Sequence, residues 1–262
     1  MENAITIALC CFQAFILNRY RSDLFPWLLL AQTVAPLYDE HRIRYKTYKE
    51  LQIALIQGVL HALSIFTPML AGELCAPSID RGNRTLTRSI APIMALALFY
   101  RDSTVWQWVT SLVAYVALLG STGTSIDYLE TPECILAHVL LLFSSFCGVL
   151  LGVVQREGAY WTEMTLVSSF VLAISGGVYG TDAAMEHIPL IVSHTIFSVY
   201  VHRRMRTMLD KMRQDPVSVT VILSTRRALT VLIEKWFVSG SLLEQILALL
   251  AVLSSIAFKV GS

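Results

Sequence analysis

Long apolar runs separated by short polar segments dominate the pattern of this chain. They fall at residues 4–17, 24–37, 51–74, 86–100, 105–122, 134–154, 164–179, 188–201, 217–238 and 242–258, and they predict ten helices. A helix needs about 20 apolar residues to cross a typical hydrocarbon core. Several runs are shorter, so a count of nine is also open, and a thinner membrane such as that of the endoplasmic reticulum suits them better. The second run, broken by Pro26 and Pro36, is the least helix-like. The expected fold is an all-α polytopic membrane protein of about ten transmembrane helices.

Composition agrees. The chain is 55% hydrophobic and 15% charged, with mean hydropathy +0.60, values that a soluble domain of 262 residues would struggle to carry in water. Charge placement then orients the runs, because cytoplasmic loops collect Lys and Arg. Loops after the second, fourth, sixth and eighth runs hold eleven: Arg42, Arg44, Lys46, Lys49, Arg101, Arg156, Arg203, Arg204, Arg206, Lys211 and Arg213. The opposite loops hold four, Arg19, Arg21, Arg81 and Arg84, and later only the acids Asp127, Glu130, Glu133, Asp182 and Glu186. Both termini are therefore expected in the cytoplasm. Glu2 is the only early charge and no small-residue cleavage site follows, so the first run is read as a retained span.

Two adjacent arginines, Arg226 and Arg227, sit near the middle of the ninth run. Each arginine at mid-membrane costs roughly 2.5–3.5 kcal/mol on insertion scales, so the pair must meet a polar cavity or an anion rather than lipid. Neighbouring helical residues point about 100° apart, so at most one aims squarely into a cavity. Arg227 is the candidate for that role, and Arg226 is expected at the cavity edge or beside an acid. Glu234 lies seven residues on from Arg227 and near the same face, although Glu234 and Lys235 fit a membrane boundary better.

No linker or low-complexity block interrupts residues 1–262, so one transmembrane domain is expected. The acidic segment from Asp127 to Glu133 divides the ten runs into five and five, repeat one over about 1–127 and repeat two over about 133–262. Because five is odd, the second set would lie inverted relative to the first. Inverted repeats are a transporter signature, with substrate bound where the repeats meet. Arg88 opens the fourth run and Arg226 and Arg227 occupy the ninth, so cationic residues fall on equivalent helices. A snorkelling interfacial role accounts for Arg88 equally well.

Several of these residues carry a family resemblance. Ser224, Thr225, Arg226 and Arg227, the apolar helix after them, the turn Phe237-Val238-Ser239-Gly240 and the closing helix resemble the last two spans of the UAA nucleotide-sugar transporter family, within the drug/metabolite transporter superfamily. That family reads T-T-R-K there, so Arg227 stands at its lysine. Arg88-Ser89-Ile90-Ala91-Pro92 is similar to the family's K-S-x-x-P run, again with arginine for lysine, and a helix bearing Gln107 follows. Gln13 matches a glutamine of the family's first span. The resemblance implies two inverted five-helix repeats and a substrate site drawn from Arg227, Arg226, Thr225, Ser224, Arg88, Ser89 and Gln13. It implies import of a UDP-sugar into the endoplasmic reticulum or Golgi lumen in exchange for a nucleoside monophosphate. Arginine at both lysine positions keeps the charge and adds a planar fork suited to phosphate.

Rival readings remain at this stage. The same cations would serve an adenine-nucleotide or phosphoadenosine-phosphosulfate exchanger. A membrane-embedded enzyme would need an acid–base or metal constellation, and the aspartates are scattered without a D-x-x-D pair, so the chain is read as no enzyme. A non-transporting membrane scaffold is the third class. Gly148–Gly152 and Gly176–Gly180 place small residues four apart, a spacing for helix packing by default and otherwise for a homodimer face or for repeat rocking. His61 and His194 read as satisfied core histidines, and the five cysteines as free thiols without metal spacing. Tyr115, Tyr179 and Tyr200 are aromatic candidates for stacking on a base. Asn83 heads a glycosylation sequon close against the next span. The basic stretch 202–213 reads as a cytoplasmic loop that anchors topology and attracts anionic lipid or substrate. No metal, cofactor or nucleic-acid partner is expected; the lipid bilayer is.

Overall fold

A computed structural model describes residues 2–19, 27, 47–74, 89–99, 103–122, 131–155, 167, 185–212 and 216–260. Among the described residues there are eight α-helices, one π-helical turn and no strand. They are α1 (Glu2–Arg19), α2 (Tyr48–Leu74), α3 (Ala91–Phe99), α4 (Val105–Thr122), α5 (Pro132–Val154), α6 (Ile188–Met212), α7 (Pro216–Glu234) and α8 (Leu242–Val260), with the π-turn at Lys235–Ser239. These correspond in order to the first, third, fourth, fifth, sixth, eighth, ninth and tenth apolar runs. Apart from Trp27 and Val167, the second and seventh runs lie outside the described residues, as do Arg88, Asn83, Cys75, Tyr179 and the Gly176–Gly180 pair.

Local chemistry starts four of the helices. Before α2, the Thr47 amide donates to Glu50 Oε2 (2.9 Å) while the Glu50 amide donates to Thr47 Oγ1 (3.3 Å). Thr104 and Gln107 repeat this reciprocal cap before α4, at 3.0 and 3.3 Å. Ser241 and Glu244 repeat it before α8, at 2.8 and 3.3 Å. Each box satisfies two orphan amides that an apolar surrounding would leave costly. Thr131 caps α5 by accepting from the Cys134 amide, with Pro132 in the first turn where its missing N–H does no harm. Gln107 is thus a capping residue.

The core is inverted relative to a water-soluble bundle. Small and polar side chains make up much of it, beside Leu118 and Leu141: Ala117, Ala228, Ala248 and Ala251 are 0–3% exposed, and Ser111, Ser121, Ser144, Thr110 and Thr225 are buried. Large apolar residues face outward, among them Leu112 and Val116 on α4, Leu136 and Val139 on α5, and Ile246 and Leu253 on α8. Lipid offers no reward for hiding Leu, so membrane helices bring small residues together and let branched ones face the tails. Among the described residues three helices are long and apolar enough to cross a membrane, over Tyr48–Gly72, Val105–Thr122 and Pro132–Val154, and a shorter apolar stretch runs from Leu242 to Phe258.

α2 packs along α5, and α4 along α8; α7 packs on α8 and on α1, and α1 also on α6. Polar contacts tie the first pair: Ser144 Oγ donates to Ser64 O (2.7 Å) and Gln57 Nε2 to Val154 O (3.4 Å). A second core joins Ala117 and Leu118 of α4, Ala228 and Val231 of α7, and Ala248, Ala251 and Val252 of α8.

Two expectations are corrected here. The stretch from His202 to Met212 is the second half of α6, not a loop, so its basic residues ride on a continued helix. Gly148 and Gly152 lie exposed, with nothing among the described residues within 4 Å of where a Cβ would sit, so they pack no helix among the described residues. The close approaches fall elsewhere, at Gly58 against Val167 and Gly120 against Leu247, each 2.8 Å from a built Cβ.

Gly240 closes the turn between α7 and α8, where a Cβ would collide with the Lys235 carbonyl oxygen. Backbone cannot move aside as a side chain can. Gly240→Ala is expected to lower the thermal midpoint of the purified protein measurably, whereas Gly148→Ala, in open space, leaves it unchanged.

Candidate functional site

α7 carries the site. Pro216 opens it, and the buried Ala228 and Val231 pin one face against α4 and α8. Ser224 lies on that same side, its Oγ 3.1 Å from Ser255 Oγ of α8. The first turn of α8 is tied to the end of α7 by Lys235 Nζ and Glu244 Oε1 at 3.1 Å. Lys235 is therefore engaged with α8 at the hairpin turn, beside the partly buried Glu234.

Arg226 turns to the opposite neighbour. Cys11 Sγ of α1 donates to Arg226 O at 3.4 Å, and Thr230 Oγ1 donates to the same carbonyl at 2.9 Å. The Cys10 thiol, buried on α1, lies near the Arg226 side chain. Arg227, also partly buried, points about 100° further round. The two cations thus leave α7 in different directions, one toward α1. Thr225 is buried, and its Oγ1 has no partner among the described residues.

The remaining candidates divide. Gln13 Nε2 donates to Ser198 Oγ at 2.8 Å, which ties α1 to α6 in the manner of an amide inside an apolar span. Ser89 is buried just before α3, and α3 touches α7. Tyr200 is exposed, with Arg204 Cζ 5.6 Å from its ring centroid, a cation–π contact on the basic half of α6. His194, read as a satisfied core histidine, is buried with Nε2 lacking a partner among the described residues. Cys10, Cys11, Cys134 and Cys147 are free thiols, all buried.

Sequence reasoning missed three features: the vicinal thiols that meet Arg226, the Ser224–Ser255 contact, and the buried hydroxyl of Ser111 on α4. Ser254-Ser255 inside the apolar tenth run was the legible signal for the second. The other two had none, because they depend on which helix lies beside α7.

The chain is a nearly all-helical protein with helices fit to cross a membrane. No protein-family model and no curated protein matches it. A solved structure, described simply as the crystal structure of a protein, resembles it over 100% of this chain and 99% of its own, with TM-score 0.66 and 12% identity. That likeness is one of fold.

Proposed function

We propose that this chain is a nucleotide-sugar antiporter that imports a UDP-sugar into the lumen of the endoplasmic reticulum or Golgi in exchange for nucleoside monophosphate. The observation that carries the reading is the pair Arg226 and Arg227 at mid-length of α7, on a helix that α1, α3, α4, α6 and α8 all touch. Cations so enclosed and so far from a helix end are positioned to replace the water lost by a phosphate group.

The helix contacts favour a two-repeat, ten-helix arrangement. Exchanging each run of the first five with its counterpart in the second five swaps α1 with α5, α2 with α6, α3 with α7 and α4 with α8. Under that exchange α2–α5 maps onto α6–α1, α3–α5 onto α7–α1 and α3–α4 onto α7–α8, while α4–α8 and α3–α7 map onto themselves; all these pairs are in contact. Two further approaches of α7, to α4 and α6, are not matched as closely at α3 among the described residues, where that helix has only nine residues. Alternating access would rock one repeat against the other around the arginines, with both termini cytoplasmic.

Counterflow tests the proposal. Liposomes containing the protein are loaded with UMP or AMP and offered labelled UDP-, GDP- and adenine nucleotides outside. Trans-stimulated uptake of a UDP-sugar is the expected result. Stimulation by adenine nucleotides alone would instead make the chain an exchanger of those, and no uptake by folded protein would leave a scaffold or an enzyme.

A further inference from the structure

A turn that stands in water carries its polar groups outward, and a contiguous apolar patch on it marks a contact surface. The turn between α7 and α8 presents such a patch. Trp236 is 61% exposed, Phe237 78% and Val238 40%, and α8 continues them with Leu242 at 73% and Leu243 at 65%. The polar groups meanwhile close on one another. Lys235 Nζ lies 3.1 Å from Glu244 Oε1, and the two side chains are only 18% and 24% exposed. The Ser241 amide donates to Glu244 Oε2 at 2.8 Å, and Gln245 Nε2 donates to the Gly240 and Lys235 carbonyls at 3.3 and 3.4 Å. Charges and carbonyls engaged inside a turn, beneath an exposed apolar crown, are what a non-aqueous surrounding requires.

The length of α8 gives the depth. At its far end Trp106 Nε1 of α4 donates to Ala257 O (2.8 Å), Trp108 is exposed in the same first turn of α4, and Lys259 follows in the chain. Tryptophan and lysine together mark a membrane–water boundary. From Ala257 back to Leu242 the helix rises about 23 Å, at roughly 1.5 Å per residue. That falls short of the ~30 Å of a typical hydrocarbon core and of the ~27 Å of the endoplasmic reticulum. The turn therefore lies beneath the opposite headgroups. Glu234, partly buried at the end of α7, holds it at the boundary rather than deeper, because a carboxylate is costly in hydrocarbon.

We propose that the α7–α8 turn is a lipid anchor, in which Trp236, Phe237 and Val238, with Leu242 and Leu243, insert on the acyl-chain side of a bilayer's headgroup boundary. The proposal goes beyond the antiporter reading and does not rest on it. The bilayer is the partner, rather than a second copy of this chain, for two reasons. The patch runs on into the apolar flank that α8 turns outward at Ile246, Leu250 and Leu253, and α8 is too short to lift it into water. The Lys235–Glu244 pair neutralises two charges that would otherwise hold the turn in water. The anchor also sets the level of α7. Arg226 precedes Lys235 by about 13 Å of helix, at roughly 1.5 Å per residue, which places it near the bilayer midplane.

The test is fluorescence of the full chain in phosphatidylcholine vesicles. The lipids carry bromines at carbons 6 and 7 or at carbons 11 and 12 of one chain, and iodide is the quencher in water. Subtracting the emission of Trp236→Phe from that of wild type isolates one indole from the other tryptophans. That component is expected to lose most of its intensity to the shallow bromines, less to the deep ones, and little to iodide. Phe237→Trp reads the same surface by a gain of emission with the same quenching order, should Trp236→Phe fail to fold. Quenching by iodide and not by bromine would put the turn in water and overturn the proposal. Protection from both quenchers would mean that protein covers it, a second copy included, and overturns the proposal equally.

Discussion

Arg227→Ala is expected to abolish nucleotide uptake in the counterflow assay while insertion and folding persist. Removing one partner of an enclosed charge pair typically costs 2–5 kcal/mol, or about 30-fold to several thousandfold in binding. Insertion should not suffer, since a mid-membrane arginine opposes it by roughly 2.5–3.5 kcal/mol. Arg227→Lys should keep much of the activity, because the charge survives and only the planar fork is lost. Arg226→Ala separates the two cations: its side chain lies near Cys10, so replacement disturbs the α1 contact as well as any anion, while the carbonyl that takes Cys11 and Thr230 is retained. Unchanged uptake by Arg227→Ala, at equal amounts of folded protein, would remove that residue from the site.

Leu118→Ala is expected to be the most destabilising single truncation in the described core. Leu118 is 1% exposed where α4 meets α7 and α8, in a cluster of four alanines, whose single methyl groups cannot extend into a gap, with Val231 and Val252. Such truncations cost about 2–5 kcal/mol in cores that cannot collapse. In a bilayer the loss is of packing contacts rather than of transfer from water. The thermal midpoint in detergent should fall sharply, while Leu118→Met, which conserves volume, costs less than about 1.5 kcal/mol. A midpoint unmoved by Leu118→Ala would mean that the α4–α7–α8 seam is not the core drawn here. Counterflow per folded molecule should survive at low temperature, which distinguishes this variant from Arg227→Ala.

Much of the helix layout was legible because a bilayer imposes long apolar runs and a chain cannot conceal them. The run at 105–122 coincides with α4, and those at 51–74, 134–154 and 242–258 lie within a few residues of α2, α5 and α8. The eighth run stopped too early at 201, because hydropathy marks where lipid ends and not where a helix ends; α6 continues through its basic half to Met212. The glycine spacing at 148–152 finds no packing neighbour among the described residues, for a related reason. Spacing identifies a face that can approach a neighbour, and whether a neighbour stands there is a property of the bundle.

The candidate site divides in the same way. Sequence determined the apolar helices, the placement of Arg226 and Arg227 deep within one of them, and the caps at Thr47, Thr104, Thr131 and Ser241, since each depends on residues close together in the chain. Only the tertiary structure decided that Cys10 and Cys11 lie beside Arg226, that Gln13 is tied to Ser198, and that Trp106 reaches Ala257. Those pairings join residues more than 100 positions apart. Which helices become neighbours is set by the close packing of small side chains across many contacts at once, and no local pattern encodes that sum.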